Sequence, residues 1–182
     1  MKKEEYYNFY HVDISNQIEN KWNRDSVLAI VKNEMKYSIK IKSSQKEKLK
    51  KRFILKTELR REKKQNKRVV AVIYCYLLYK ALENFNEANP LLLCRDVRPE
   101  ILIIQYLHKI ANYFGNKEIL KKEIKFRKKI EFQTNEKLPE SIADKYARKV
   151  FQGKLNATKI LNDGELEELT MIIQKMIVNR KI

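Results

Sequence analysis

Glycine, proline and cysteine are scarce in this 182-residue chain, and each scarcity excludes a class of protein. Three Gly and three Pro are too few for flexible linkers or low-complexity arrays, which are rich in these residues. The two cysteines, Cys75 and Cys94, lie in apolar surroundings and lack the paired spacing of a zinc site, so we expect reduced core residues. The opening residues, MKKEEYYNFY, contain no apolar run typical of a signal peptide, which predicts a cytoplasmic protein.

Acidic residues are also much fewer than basic ones. The chain has 40 Lys and Arg against 23 Asp and Glu, a formal net charge of +17. A surplus of this size predicts a polyanionic partner, above all nucleic acid. A membrane surface is disfavoured, because no basic segment is joined to a clean amphipathic apolar stripe.

The positive charge is concentrated in two segments. Residues 46–68 carry twelve Lys and Arg against three Glu, and residues 117–129 form a second basic patch. A solvated helical face would have the same composition, and that alternative stays open. If these segments bind phosphates, the expected contacts are Lys48, Lys50, Lys51, Arg52, Arg60, Arg61, Lys63, Lys64, Lys121, Lys122 and Lys128.

One apolar stretch organises the predicted fold. Residues 69–79 are apolar or aromatic throughout, which is too short to cross a bilayer, where ~20 residues are needed. We therefore predict a buried helix within residues 68–85. Strands are expected at residues 6–15, 26–31, 37–41, 91–94 and 130–132, with further helices after residues 99, 139 and 163.

This order predicts an α/β fold. Three consecutive strands form an antiparallel meander, and alternating helices and strands then add parallel strands, giving a mixed five-stranded sheet with helices on both faces. The expected organisation is one domain over residues 1–153, with a basic insertion at about 44–66. A C-terminal helical extension over residues 154–182 completes the chain.

Three aspartates are the candidate functional residues. Asp13 lies near the end of the first predicted strand, Asp96 at the end of the fourth, and Asp144 in the first turns of a later helix. Neighbouring strands would bring the first two together at one edge of the sheet, where α/β proteins bind ligands. Clustered carboxylates need a cation, and oxygen ligands suit Mg²⁺ or Mn²⁺. A purely structural alternative also stays open: Asp is favoured where strands turn, and at helix N-termini.

The element order and these carboxylates resemble the ribonuclease H-like superfamily. The first strand, YHVDIS, looks like the family's opening strand with its metal-binding Asp13. LLLCRDVRPEIL resembles its fourth strand and following helix, with Asp96 as the second ligand, and SIADKYARKV resembles its C-terminal helix, with Asp144 as the third. The resemblance implies Mg²⁺- or Mn²⁺-dependent cleavage of RNA, with RNA or an RNA/DNA hybrid favoured over duplex DNA as partner.

The sequence also departs from that family. The positions that best match the family's catalytic helix Glu are the apolar Val70 and Ala71, which leaves Glu62 as the candidate fourth catalytic carboxylate. Residues 133–135, Gln-Thr-Asn, occupy the region of the family's loop His, and the Gly-rich first turn is absent. A non-catalytic nucleic-acid-binding or scaffold protein that keeps the fold is therefore the alternative.

Overall fold

The computed structural model describes residues 6–19, 21–55, 59–85, 89–94, 99–127 and 141–178. The strands are β1 (Tyr10–Ser15), β2 (Ser26–Lys32), β3 (Met35–Ile41), β4 (Leu91–Leu93), β5 (Ile124–Phe126) and β6 (Lys159–Ile160). The helices are α1 (Ser43–Phe53), α2 (Arg60–Leu82), α3 (Glu100–Tyr113), α4 (Lys117–Lys121), α5 (Ile142–Phe151) and α6 (Asp163–Ile173), and α6 continues into a π-helix (Gln174–Val178).

The strands form one mixed sheet in the order β5-β4-β1-β2-β3-β6. The predicted meander is confirmed: β1 pairs antiparallel with β2, and β2 pairs antiparallel with β3. Asn33, in the turn between β2 and β3, has a φ of 51°, a left-handed conformation that Asn tolerates better than most residues. The parallel strands β4 and β5 extend the sheet beside β1.

Two details of the predicted sheet need correction. The described sheet has six strands rather than five, because the two-residue β6 pairs parallel with β3. The strand beside β4 is Ile124–Phe126, inside the second basic patch. The strand predicted at residues 130–132 lies outside the described residues.

Helix α2 is the centre of the core, as the apolar stretch predicts. From Val69 to Tyr79 every side chain is buried except that of Val70, which is half-buried. This helix packs against Leu28 and Ile30 of β2 and against α3. Burying so much apolar surface is the dominant stabilising contribution to a fold of this size.

The second face of the sheet is covered by α5. Val27 and Ala29 of β2 pack against Ala147 and Val150 of this helix. Helices therefore lie on both faces of the sheet, and the α/β class predicted from the sequence is confirmed.

The C-terminal segment joins the same core. Leu161, Leu169 and Ile173 are buried in it, and Tyr76 of α2 donates a hydrogen bond to Glu168 of α6. None of the helices in the described part of the chain is long and apolar enough to cross a membrane.

Candidate functional site

Asp13 lies in the middle of the sheet, on the face that α5 covers. It is directly opposite Ala29 in the β1–β2 ladder, and side chains opposite each other in adjacent strands lie on the same face. Ala29 packs against α5, so Asp13 points towards that helix. It is also the least buried residue of β1, the others all being buried.

The carboxyl group of Asp13 is held in a costly environment. The pKa of Asp13 is raised from the usual 3.8 to about 6, chiefly by burial, and the nearby charge of Asp144 contributes to this increase. Hydrogen bonds act in the opposite direction: the Ile14 backbone N–H donates to Oδ1 at 2.8 Å, and the side chains of Cys94 and Ser141 also donate to the carboxylate. A carboxylate with this combination of burial and a like-charged neighbour is typical of functional sites.

Asp144 comes to Asp13 through the start of α5. Ser141 caps this helix, since its Oγ accepts the backbone N–H of Asp144 at 3.1 Å. Its hydroxyl hydrogen is then free to donate to Asp13. The Asp144 carboxylate accepts a hydrogen bond from Arg148, one turn later, at 2.7 Å. Two of the three aspartates singled out from the sequence are therefore neighbours.

Asp96, the third aspartate, lies outside the described residues. Cys94, two positions earlier, is described, and it hydrogen-bonds to Asp13. Among the described residues alone, no group of three His, Cys, Asp or Glu side chains could hold a metal ion.

Helix α2 contains a tyrosine with a buried, unpaired hydroxyl, which the sequence alone does not reveal. Tyr74 is 3% exposed, and its hydroxyl is buried without a hydrogen-bond partner in the described structure. Burial raises the pKa of Tyr74 well above its usual value, and the charges of Cys94 and Asp13 add to the shift. The phenol therefore lies within electrostatic range of both groups. An apolar run gives no sign that one of its residues ends in an unpaired hydroxyl.

Glu62, the predicted fourth carboxylate, is not near Tyr74. It lies twelve residues earlier in α2, which at 1.5 Å per residue is about 18 Å along the helix axis. Tyr74 is the residue of α2 on which the charge of Asp13 is seen to act. This separation argues against Glu62 as a member of the carboxylate group.

His11 is a structural residue beside this site. It is buried, and its Nε2 lies 3.0 Å from the carbonyl oxygen of Tyr6. Because a carbonyl only accepts, Nε2 carries the hydrogen. Burial lowers the pKa of His11 to about 4, so the ring is neutral at physiological pH and is not poised for proton transfer.

The described part of the first basic segment lies in two helices that hydrogen bonds hold together. The Asn66 side chain both donates to the Leu55 carbonyl at 2.8 Å and accepts the Leu55 N–H at 2.9 Å. These two bonds hold the end of α1 against the second turn of α2. We call the exposed cations of these two helices the α1/α2 basic surface: Lys48, Lys51, Arg52, Arg60, Lys63, Lys64, Lys67 and Arg68.

Other predicted phosphate contacts have different surroundings. Lys50 is half-buried and lies 3.7 Å from Glu47. Lys121 is exposed and paired with Glu118 at 3.0 Å. Lys122 needs correction, because it is only 7% exposed and its Nζ lies over the Tyr10 ring. Lys128 and the side chain of Arg61 lie outside the described residues.

No protein-family model matches the sequence, and comparisons with curated proteins and with solved structures likewise found no match. What the chain does must therefore be inferred from the chemistry of its own residues.

Proposed function

We propose that this protein is a nucleic-acid-binding, metal-dependent nuclease with a ribonuclease H-like fold, acting on RNA or on an RNA/DNA hybrid. The single observation that carries the proposal is the approach of Asp144 to the buried Asp13. These two side chains come from distant parts of the sequence, and both were singled out by the same resemblance. The arrangement of a three-strand meander followed by two parallel strands supports the fold assignment.

The residues present fit a hard divalent cation. Asp13 and Asp144 supply carboxylate oxygens, the donors that Mg²⁺ and Mn²⁺ prefer. Burial is the main reason for the raised pKa of Asp13, and repulsion by the neighbouring Asp144 carboxylate adds to it. A cation between the two carboxylates would remove that repulsion. Asp96, which lies outside the described residues, is the third ligand that the resemblance implies.

Bound Mg²⁺ or Mn²⁺ would stabilise the negative charge that develops on the phosphoryl oxygens during hydrolysis. The protein's own contribution is positional. Strand β1 fixes Asp13, and the Ile14 N–H orients its carboxylate. The cap at Ser141 fixes the first turn of α5 and with it Asp144.

The α1/α2 basic surface would hold the substrate. Residues 60–68 precede Tyr74 by six to fourteen positions, which is about 9 to 21 Å along α2. Since successive phosphates of one duplex strand are spaced ~3.4 Å along the axis, this surface would contact phosphates roughly three to six steps from the carboxylates. Binding and cleavage would then engage separate parts of one strand.

The proposal is tested by cleavage of a labelled RNA/DNA hybrid and a labelled structured RNA, each with Mn²⁺, with Mg²⁺ and with chelator. We expect metal-dependent cleavage by the wild type and none by Asp13→Asn, with nucleic-acid affinity nearly unchanged. Glu62→Gln is the matched control, since it removes a carboxylate charge far along α2 and should leave cleavage intact. Cleavage that survives in Asp13→Asn would place the chemistry elsewhere.

A non-catalytic nucleic-acid-binding protein is the second candidate, and Tyr74 favours it. The residue of α2 on which the charge of Asp13 acts carries a phenol instead of a carboxylate, which leaves one ligand fewer for a second cation. If the wild type binds either nucleic acid but cuts neither under any metal condition, this function replaces the first.

A further inference from the structure

A groove of about 1030 Å³ lies between α1 and α6. Apolar side chains from both helices line it: Leu49 from α1, and Leu166 and Met171 from α6. The two leucines are buried, whereas Met171 is 59% exposed. A single exposed apolar side chain is ordinary on a protein surface. One that lines a groove of this size, together with two leucines, gives a partner apolar surface to cover.

The two walls of this groove differ in charge. The α1 wall carries Lys48 and Arg52. The α6 wall carries Asp163 and Glu167, and Lys175 of the π-helix follows them. All five side chains are exposed, and none of them forms an ion pair with another residue in the described part of the chain. The groove therefore offers unneutralised charge of both signs to a partner.

Helix α6 itself has the charges that such a partner needs. Four residues at intervals of four share one face of this helix and of the π-helix, and all of them line the groove: Asp163, Glu167, Met171 and Lys175. The acidic pair lies at one end of this face and the lysine at the other. A second α6 that runs antiparallel to the first would place its Lys175 opposite Asp163 and its Asp163 opposite Lys175. In a two-fold symmetric contact every such pair forms twice.

We propose that this groove is the contact surface of a two-fold symmetric dimer, in which the α6 helices of two copies lie antiparallel and Met171 of each copy packs into the groove of the other. The acidic residues of the incoming α6 also complement the cations of the α1 wall. A nucleic-acid strand fits less well, because Asp163 and Glu167 would repel its phosphates. None of the described residues that line the groove is aromatic, so none could stack on a base.

The test is an exchange of charge, read by sedimentation equilibrium at about 0.15 M salt, where a Debye length of about 8 Å screens the net charge of +17. We expect the wild type to show a concentration-dependent equilibrium between monomer and dimer. Asp163→Lys and Lys175→Asp should each weaken the dimer roughly tenfold, since each replaces two symmetry-related ion pairs by like-charge contacts. The double variant restores both pairs with reversed signs, so it should regain the dissociation constant of the wild type.

The double variant also controls for folding, because it carries both substitutions at the net charge of the wild type. Its recovery could not follow from damage to α6. Lys154→Asp is the matched control for Lys175→Asp, since both replace an exposed lysine by aspartate. Lys154 does not line the groove, and its variant should dimerise at least as well as the wild type, because the overall repulsion between copies falls.

The proposal is wrong if the wild type stays monomeric at every concentration. It is also wrong if the double variant does not recover, or if Lys154→Asp weakens the dimer as much as Lys175→Asp. Fluorescence anisotropy with a labelled RNA tests the other occupant: a monomeric wild type whose RNA affinity falls more in Lys175→Asp than in Lys154→Asp would assign the groove to nucleic acid. None of these measurements involves a metal ion or cleavage, so the proposed nuclease function stands or falls separately.

Discussion

Lys46 belongs to a basic segment that predicts exposed side chains, but the fold buries it. It begins the densest basic segment, yet it is 0% exposed. Its Nζ donates to the Lys21 carbonyl at 3.0 Å and to the Ser26 hydroxyl at 2.7 Å. It therefore holds α1 against the sheet and does not contribute to a phosphate-binding surface. A count of charges along a sequence cannot identify a lysine that turns inward.

The buried amine makes stability depend on pH. Burial lowers the pKa of Lys46 from 10.5 to about 8, against smaller opposing effects of Asp25 and Glu47. Because the folded pKa lies below the unfolded one, the stabilising contribution is present above about 10.5 and is lost as pH falls through about 8. Between about pH 7 and pH 10.5, the free energy of unfolding of the wild type should thus rise by about 3 kcal/mol relative to that of Lys46→Met. Urea denaturation of both proteins across this pH range measures the difference in their free energies of unfolding. A difference that stays constant with pH would contradict the prediction.

At the scale of elements, the sequence predicts the long and regular parts well. The alternation of Tyr37, Ile39 and Ile41 with polar residues identifies β3, and Asn33 marks the turn before it. The buried helix follows from an apolar run that no exposed element would carry, although α2 already begins at Arg60, within the basic segment. The alternation in β3 and the apolar run in α2 are strong signals because each extends over several consecutive residues.

The short strand β5 could not be found in the same way. It contains only Ile124, Lys125 and Phe126, and charged residues precede it. Three residues give no measurable period, and the pairing with β4 is made by backbone groups, which all residues share. The approach of Asp144 to Asp13 was expected from the sequence, while Tyr74 was missed, since only the three-dimensional structure shows that its hydroxyl is buried without a hydrogen-bond partner among the described residues.

The start of α5 has two separable roles, which predicts a specific pair of mutants. Ser141→Ala should cost about 1 kcal/mol through loss of the helix cap. It should also raise the pKa of Asp13 further, because the Ser141 hydroxyl helps to lower it. Asn162→Ala removes the corresponding cap of α6, where the side chain accepts the Glu165 N–H at 2.9 Å. It should cost a similar free energy without affecting Asp13.

Chemical denaturation measures the free energy of unfolding that each variant loses, and NMR titration of the Asp13 carboxyl measures its pKa. Equal pKa changes in both variants would show that loss of stability, rather than the hydroxyl, shifts the group. An unchanged pKa in Ser141→Ala would remove Ser141 from the site.

At the scale of the whole molecule, positive charge is distributed unevenly over the fold. The α1/α2 basic surface combines the last turn of one helix with the first turns of the next, and the Asn66–Leu55 bonds fix their relation. The carboxylate pair, Asp13 and Asp144, lies elsewhere, between β1 and α5, the helix on the second face of the sheet. A substrate strand that contacts both would be held by the cations and cut at the carboxylates.

This division predicts how affinity for RNA depends on salt. Log K should fall linearly with log salt concentration as bound phosphates release counterions. Charge reversal of two exposed lysines in the basic surface, Lys51→Glu with Lys64→Glu, should weaken binding. It should also reduce the magnitude of the slope by about 2, since each lysine that no longer binds a phosphate lowers it by roughly 1. The exposed Lys36 and Lys154 give a control pair with the same change in net charge, which should weaken binding less and leave the slope nearly unchanged. Fluorescence anisotropy with a labelled RNA at several salt concentrations measures both quantities. If the two pairs behave alike, net charge alone attracts the nucleic acid, and the α1/α2 basic surface has no special role.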